Sequence, residues 1–273
     1  MENQINNAFK EIRKKLGFKQ SSFVELGISK SSISRFERGE TSLPVHQFYQ
    51  ALEFMDITFY EFNQTYLSYR NSEFKEMYDE IYDAYYSRDV LKIKKIMYKI
   101  KSPLLKIALK SLIYDFERGG KLTYLEREKL VDFIFSIETW GIFEFSILQF
   151  SIGQIDEKRI VKILKLMKEE TSQFTSIRQY RRYIVQIFLK GIFILILLGD
   201  KNDSENFLKD IQKMTENDDL FLKNCILFME GYYEYKFFNI ELGRKKINEC
   251  INIFDTLDCQ DMSNFFKYLS STI

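Results

Sequence analysis

The sequence predicts an all-α protein in two parts, a small five-helix domain over residues 1–67 and a longer array of helices over residues 68–273. Three observations predict it. The chain has only 2 prolines, Pro44 and Pro103, and 11 glycines in 273 residues, too few breakers for a chain built of turns. Apolar residues recur at helical spacing through most of the sequence. The texture then changes near Tyr69, from short helices to long amphipathic ones. A hydrophobic share of 45% and an aromatic share of 16% suffice for packed cores.

The elements follow in order. Ile5, Phe9, Ile12 and Leu16 mark one face of a first helix over residues 5–16, which Gly17 ends. A second short helix is expected from Gln20 to Leu26, with Gly27 in the turn after it. Ser29 is a good N-cap for a third helix through Arg38, stopped by Gly39. A fourth opens with Pro44 at its first position, and a fifth, rich in aromatics, starts near Thr58. Beyond Tyr69 the periodicity predicts helices at 73–86, 89–100, 103–117, 123–136, 140–151, 155–168, 177–198, 203–215, 219–238, 241–257 and 261–270. Their short connections imply antiparallel neighbours. Three segments resemble one another: YYSRDVLKIKKIM (85–97), LLGDKNDSENFLKDI (197–211) and YKFFNIELGRKKINECI (235–251). Each is a helix end, a polar turn and an amphipathic helix. This resembles a tetratricopeptide-like α-solenoid without that repeat's usual Ala and Gly positions.

The third helix poses the functional question. Ile33 and Phe36 give it a narrow apolar stripe, and Lys30, Ser31, Ser34, Arg35 and Arg38 occupy the rest. Small residues let a helix approach a groove closely, and Arg can contact guanine through both arms of its fork. An ordinary solvated face has the same composition. Charge is informative here: residues 10–38 carry eight Lys/Arg against three Glu, whereas residues 39–65 carry four acids and no Lys or Arg. With a net charge of only +1, the basic patch is local, suited to a phosphate backbone.

The string IRKKLGFKQSSFVELGISKSSISRFERGETSLPVHQFYQALEFMDITFYEF resembles the lambda-repressor-like helix-turn-helix of the Xre family. The resemblance spans residues 5–62 and implies double-stranded DNA as a partner. It implies a structural pair between Arg13 and Glu37, a phosphate contact from Gln20, and base-edge positions at Lys30, Ser31 and Arg35. The candidate DNA-contacting set is Lys19, Gln20, Ser29, Lys30, Ser31, Ser34, Arg35 and Arg38. One departure is the second helix, a residue shorter than usual. SKSSISRFERGET followed by a helical array, with WGIFEFSILQF (140–150) and GYYEYKFFNIELGRKKINECINIF (231–254), resembles the Rgg/MutR family of transcriptional regulators. That resemblance implies a cytoplasmic homodimer whose repeat domain binds a short hydrophobic pheromone peptide on its concave face. Two other readings stay open: a helical scaffold without DNA binding, and a DNA-binding regulator whose array serves dimerisation and RNA polymerase contact without a peptide.

In a concave groove the candidate peptide contacts are Tyr183, Gln186 and Lys190 on one helix stripe and Asn224, Phe228 and Tyr232 on another. Arg178, Arg181 and Arg182 are candidates for a peptide carboxylate. Aromatics at helical spacing more commonly make core, and the arginines equally make a solvated helix start. Enzyme and metal chemistry find little support. His46 is the single histidine and has no ligand partner at metal spacing, and Cys225, Cys250 and Cys259 read as reduced thiols. No phosphate loop or nucleophile motif occurs, so no cofactor is expected. The N-terminus lacks an apolar signal-peptide segment. The most apolar run, residues 191–199, falls short of the ~20 residues a spanning helix needs.

Overall fold

The computed structural model describes the backbone of residues 3–69 and 73–271. The chain divides into two units, Met1–Tyr78 and Asp79–Ile273. That division falls later than the one expected after residue 67.

The first unit contains α1 (Asn3–Lys15), a 3-10 helix (Gln20–Leu26), α2 (Lys30–Glu37), α3 (Val45–Phe54) and α4 (Phe59–Tyr69). Its core gathers Phe9 and Ile12 of α1, Phe23 of the 3-10 helix, Ile33 and Phe36 of α2, Leu52 of α3 and Phe62 of α4. Phe9 meets the rings of Phe23, Phe36 and Phe48 at 5.4–5.9 Å between centroids. Two expectations are corrected. Ile5 and Leu16 are exposed, because the buried stripe of α1 runs instead through Ala8, Phe9, Ile12 and Arg13. Pro44 is the N-cap of α3, extended at ψ 142°, so the helix starts one residue later. The second helix runs over the expected residues, as a 3-10 helix. Its apolar residues Phe23 and Leu26 stand three apart, which eclipses them toward the core in a three-residue turn. At ~2.0 Å per residue, seven residues reach about as far as nine do in an α-helix, which offsets the short sequence.

The second unit holds the end of α5 (Glu73–Tyr86) and then α6 (Val90–Lys99), α7 (Pro103–Glu117), α8 (Tyr124–Phe135), α9 (Ile142–Ser151) and α10 (Glu157–Glu170). It continues with α11 (Arg178–Leu198), α12 (Lys201–Met214), α13 (Leu220–Phe237), α14 (Ile240–Thr256) and α15 (Gln260–Ser270). Helices α7, α9, α11 and α13 touch in series as an inner row, while α8, α10, α12 and α14 pack on them from outside. This is a helical-repeat solenoid, all-α as expected. The three similar segments occupy equivalent places, since Asp89, Asp200 and Asn239 are the side-chain N-caps of α6, α12 and α14. The expected lack of small repeat positions is corrected at α13 and α14. A Cβ on Gly243 would stand 2.4 Å from the Tyr235 nitrogen, and one on Gly231 2.9 Å from the Ile247 nitrogen. Two glycines thus set the approach of this helix pair. No described helix is long and apolar enough to cross a membrane.

Candidate nucleic-acid interface and effector cavity

The orientation of α2 is fixed from below. Arg13 and Glu37 are brought together as a buried two-armed pair, Nε to Oε1 and Nη2 to Oε2 at 2.9 Å, and Arg13 Nη1 also donates to the Phe18 carbonyl at 2.7 Å. Removing one partner of such a pair leaves a buried charge, a loss of about 3–5 kcal/mol. Gln20 Nε2 donates to the same Glu37 carboxylate at 2.8 Å. Its amide therefore braces α2 from below. Asn6 Nδ2 ties the C-terminal end of α2 through the Phe36 carbonyl.

On the outer side, Ser29 caps α2, accepting from the Ser32 amide at 3.1 Å, and its Oγ lies 2.8 Å from that of Ser31. Arg38 is not free. It donates to Ser34 Oγ at 2.7 Å and grips Glu40 with two arms, Nη2 to Oε2 at 2.8 Å. That hydrogen bond holds the Glu40 carboxyl below the usual carboxylate range. Lys19, Lys30 and Arg35 are exposed and enter no ion pair among the described residues. The presented face is therefore Lys30, Ser31 and Arg35, with Lys19 at its edge.

The second unit carries a half-open cavity of about 660 Å³. Its lining comes from α5, α7, α9, α11, α13 and α15. One wall is apolar, with Leu189, Phe193, Ile194 and Leu197 of α11 facing Phe221, Met229, Phe265 and Leu269. The floor is a hydrogen-bonded polar network. Tyr82 donates to Gln149 Oε1 at 2.9 Å, Gln149 lies 3.4 Å from Gln186, and Gln186 Nε2 donates to the Tyr86 hydroxyl at 2.8 Å. Lys190 Nζ donates to Asp115 at 3.1 Å and to the Gln149 carbonyl at 3.0 Å. Burial pushes the Tyr86 phenol and the Cys225 thiol well above their ordinary pKa, so both stay neutral.

Of the expected peptide contacts, Gln186 and Lys190 line this cavity and seven others do not. Asn224, Phe228 and Tyr232 are corrected to core positions. Helix α13 is covered by α11, α12 and α14, so its second stripe is buried too. Asn224 donates to the Cys250 carbonyl at 3.0 Å, and Phe228 packs on Phe266 at 4.8 Å between centroids. Tyr183 stacks on Phe145 at 5.9 Å, outside the lining. The arginines are paired: Arg178 near Asp218, buried Arg181 on Glu216, and Arg182 two-armed on Asp219 at 2.9 and 3.1 Å. Burial pushes the Asp219 carboxyl up, and Arg182 with the Leu222 amide outweighs it, leaving the group below its ordinary value. Sequence reasoning missed the C-terminal half of α11. The stripe Gln186, Lys190, Phe193, Leu197 continues straight into the apolar run 191–199. Gln149, a lone amide within the apolar helix α9, was the other available signal.

A braced helix with a polar, cationic outer face, joined to a helical-repeat unit with a ligand-sized cavity, defines a helix-turn-helix transcription regulator. Residues 9–62 match the helix-turn-helix family, and residues 87–268 match the family described as HTH-type transcriptional regulator Rgg, C-terminal domain. The chain belongs to the Rgg family. Among solved structures it is similar to the SHP pheromone receptor Rgg2 of Streptococcus dysgalactiae, at 20% identity and a TM-score of 0.76 over 98% of this chain and 100% of that one. A proposed transcriptional regulator from Listeria monocytogenes EGD-e shares 16% identity, with a TM-score of 0.82 over 100% of this chain and 97% of that one. The PrgX/cCF10 complex shares 14% identity, with a TM-score of 0.69 over 98% of this chain and 91% of that one. What these three share with the chain is the fold.

Proposed function

We propose that this regulator acts in the cytoplasm as a homodimer, placing two copies of α2 in major-groove half-sites, and that a short hydrophobic peptide in the repeat cavity controls it. Lys30, Ser31 and Arg35 would read base edges, and Lys19 would meet phosphate. The cavity carries the peptide reading. Its 660 Å³ lies within the range of small-ligand sites, about 300–1,000 Å³, and it combines apolar walls with a few convergent polar groups. The amides of Gln149 and Gln186 suit a peptide backbone, and Phe193, Ile194 and Phe221 suit apolar side chains. Structures named for a pheromone receptor and for a PrgX/cCF10 complex, sharing this fold, support the reading. Six helices contribute to the lining, so a ligand that prefers one packing of them shifts the population of packings.

The test is a titration of the full chain with synthetic apolar peptides, followed by calorimetry, beside the variant Ile194→Trp, which fills the cavity. Wild type is expected to bind, and the variant to lose binding at least about tenfold while keeping its affinity for DNA. Peptide binding that is equal in the two proteins would place the ligand elsewhere.

A further inference from the structure

The arginines of α11 are all engaged by carboxylates, whereas several elsewhere in the second unit meet none among the described residues, and two of these stand together. Arg88, in the turn between α5 and α6, and Arg118, at the end of α7, converge on the ring of Tyr268 in α15. Their guanidinium carbons stand 3.1 and 4.4 Å from its centroid. Arg118 donates from Nε to the Tyr268 hydroxyl at 2.8 Å and from Nη2 to Ser271 Oγ at 3.2 Å. Arg88 Nη2 donates to the Phe116 carbonyl at 3.1 Å, and its Nε is buried with no acceptor. Every acceptor named here is neutral, and among the described residues neither guanidinium meets a carboxylate. Burial, and the charge of Arg118 after it, pull the Arg88 guanidinium below its usual range, against the pull of Tyr268.

The backbone gives an independent sign. Both residues lie in the left-handed region, Arg88 at φ 55° and Arg118 at φ 50°, where glycine is the usual residue after a helix. Such strain persists where the surroundings over-determine it, as ligand clamps do. Position completes the case. Arg118, Tyr268 and Ser271 line the cavity, while its other charged pair, Asp115 and Lys190, is internally neutralised at 3.1 Å. Among the described residues, one end of an otherwise balanced cavity therefore carries unmatched positive charge.

We propose that this end is a carboxylate-binding site, in which Arg118, with Arg88 beside it on Tyr268, takes a carboxylate of the bound peptide. The inference rests on the peptide reading above. A guanidinium fork takes a C-terminal carboxylate and an Asp or Glu side chain alike, with Tyr268 and Ser271 holding the donors in its absence.

The test uses the full chain and three pools of N-acetylated hexapeptides built from Leu, Ile, Val and Phe. One pool has free C-termini, one is amidated, and one is amidated with a single Asp. Retention is read by affinity selection and mass spectrometry for wild type and for Arg118→Gln, with a thermal melt to confirm folding. A charge-assisted hydrogen bond predicts that at least one carboxylate pool is retained about tenfold better than the neutral pool. Which pool gains assigns the carboxylate to the C-terminus or to the side chain. Arg118→Gln is expected to erase the gain while keeping the neutral pool's retention. Equal retention of all pools by wild type, or a preference unchanged in the variant, overturns the carboxylate site and leaves the peptide reading standing. Retention of none removes both.

Discussion

At the scale of single residues, Glu37 and Glu40 do opposite things to the recognition face. Glu37 is buried and gathers Arg13 and Gln20 beneath α2, fixing the helix. Glu40 is exposed and draws Arg38 away from any phosphate. Glu40→Gln is therefore expected to release Arg38, tightening binding to DNA of any sequence. The slope of log affinity against log salt should steepen by about 0.9, one added phosphate contact. Anisotropy titrations over a salt series measure it, and an unchanged slope would mean that Arg38 never reaches the backbone. The Arg13–Glu37 partnership was legible because both residues sit in a motif. The Arg38–Glu40 one was not. It depends on Gly39 turning the chain back at φ 74°, which puts two residues either side of a helix stop face to face.

At the scale of elements, periodicity located the helices well, because each must bury one stripe whatever its partner. It failed on which stripes stay open. Helix α13 is packed by neighbours on several sides, so Asn224, Phe228 and Tyr232 carry helical spacing yet face core. Helix α11 shows the converse, with Leu197 and Leu198 exposed in an apolar run because they border the cavity. The close α13–α14 crossing supplies a test. Alanine is favoured over glycine within a helix by about 1 kcal/mol, so Gly243→Ala would stabilise an open helix. Here the added methyl meets the Tyr235 backbone, and overpacking of this kind costs about 1–3 kcal/mol. A lower midpoint of thermal unfolding is expected. A raised midpoint would show that the two helices can slide apart without loss.

At the scale of the whole molecule, the division of labour follows the charge and the apolar surface. The first unit presents Lys30, Ser31 and Arg35 on a helix it cannot easily tilt, and the second builds a half-open apolar cavity over a polar floor. The two-part organisation was legible from the change in helix length, whereas the cavity was not. It is made by six helices far apart in sequence, and no local pattern encodes their convergence. The central claim is that α2 reads DNA sequence. Selection of bound fragments from a random duplex pool by the full chain, in parallel with Arg35→Ala, tests it most directly. Wild type is predicted to enrich a motif of two related half-sites about one helical turn or a multiple apart, and Arg35→Ala to lose that enrichment while still retaining DNA nonspecifically. Absence of an enriched motif, or the same motif at the same strength from both proteins, would contradict the account.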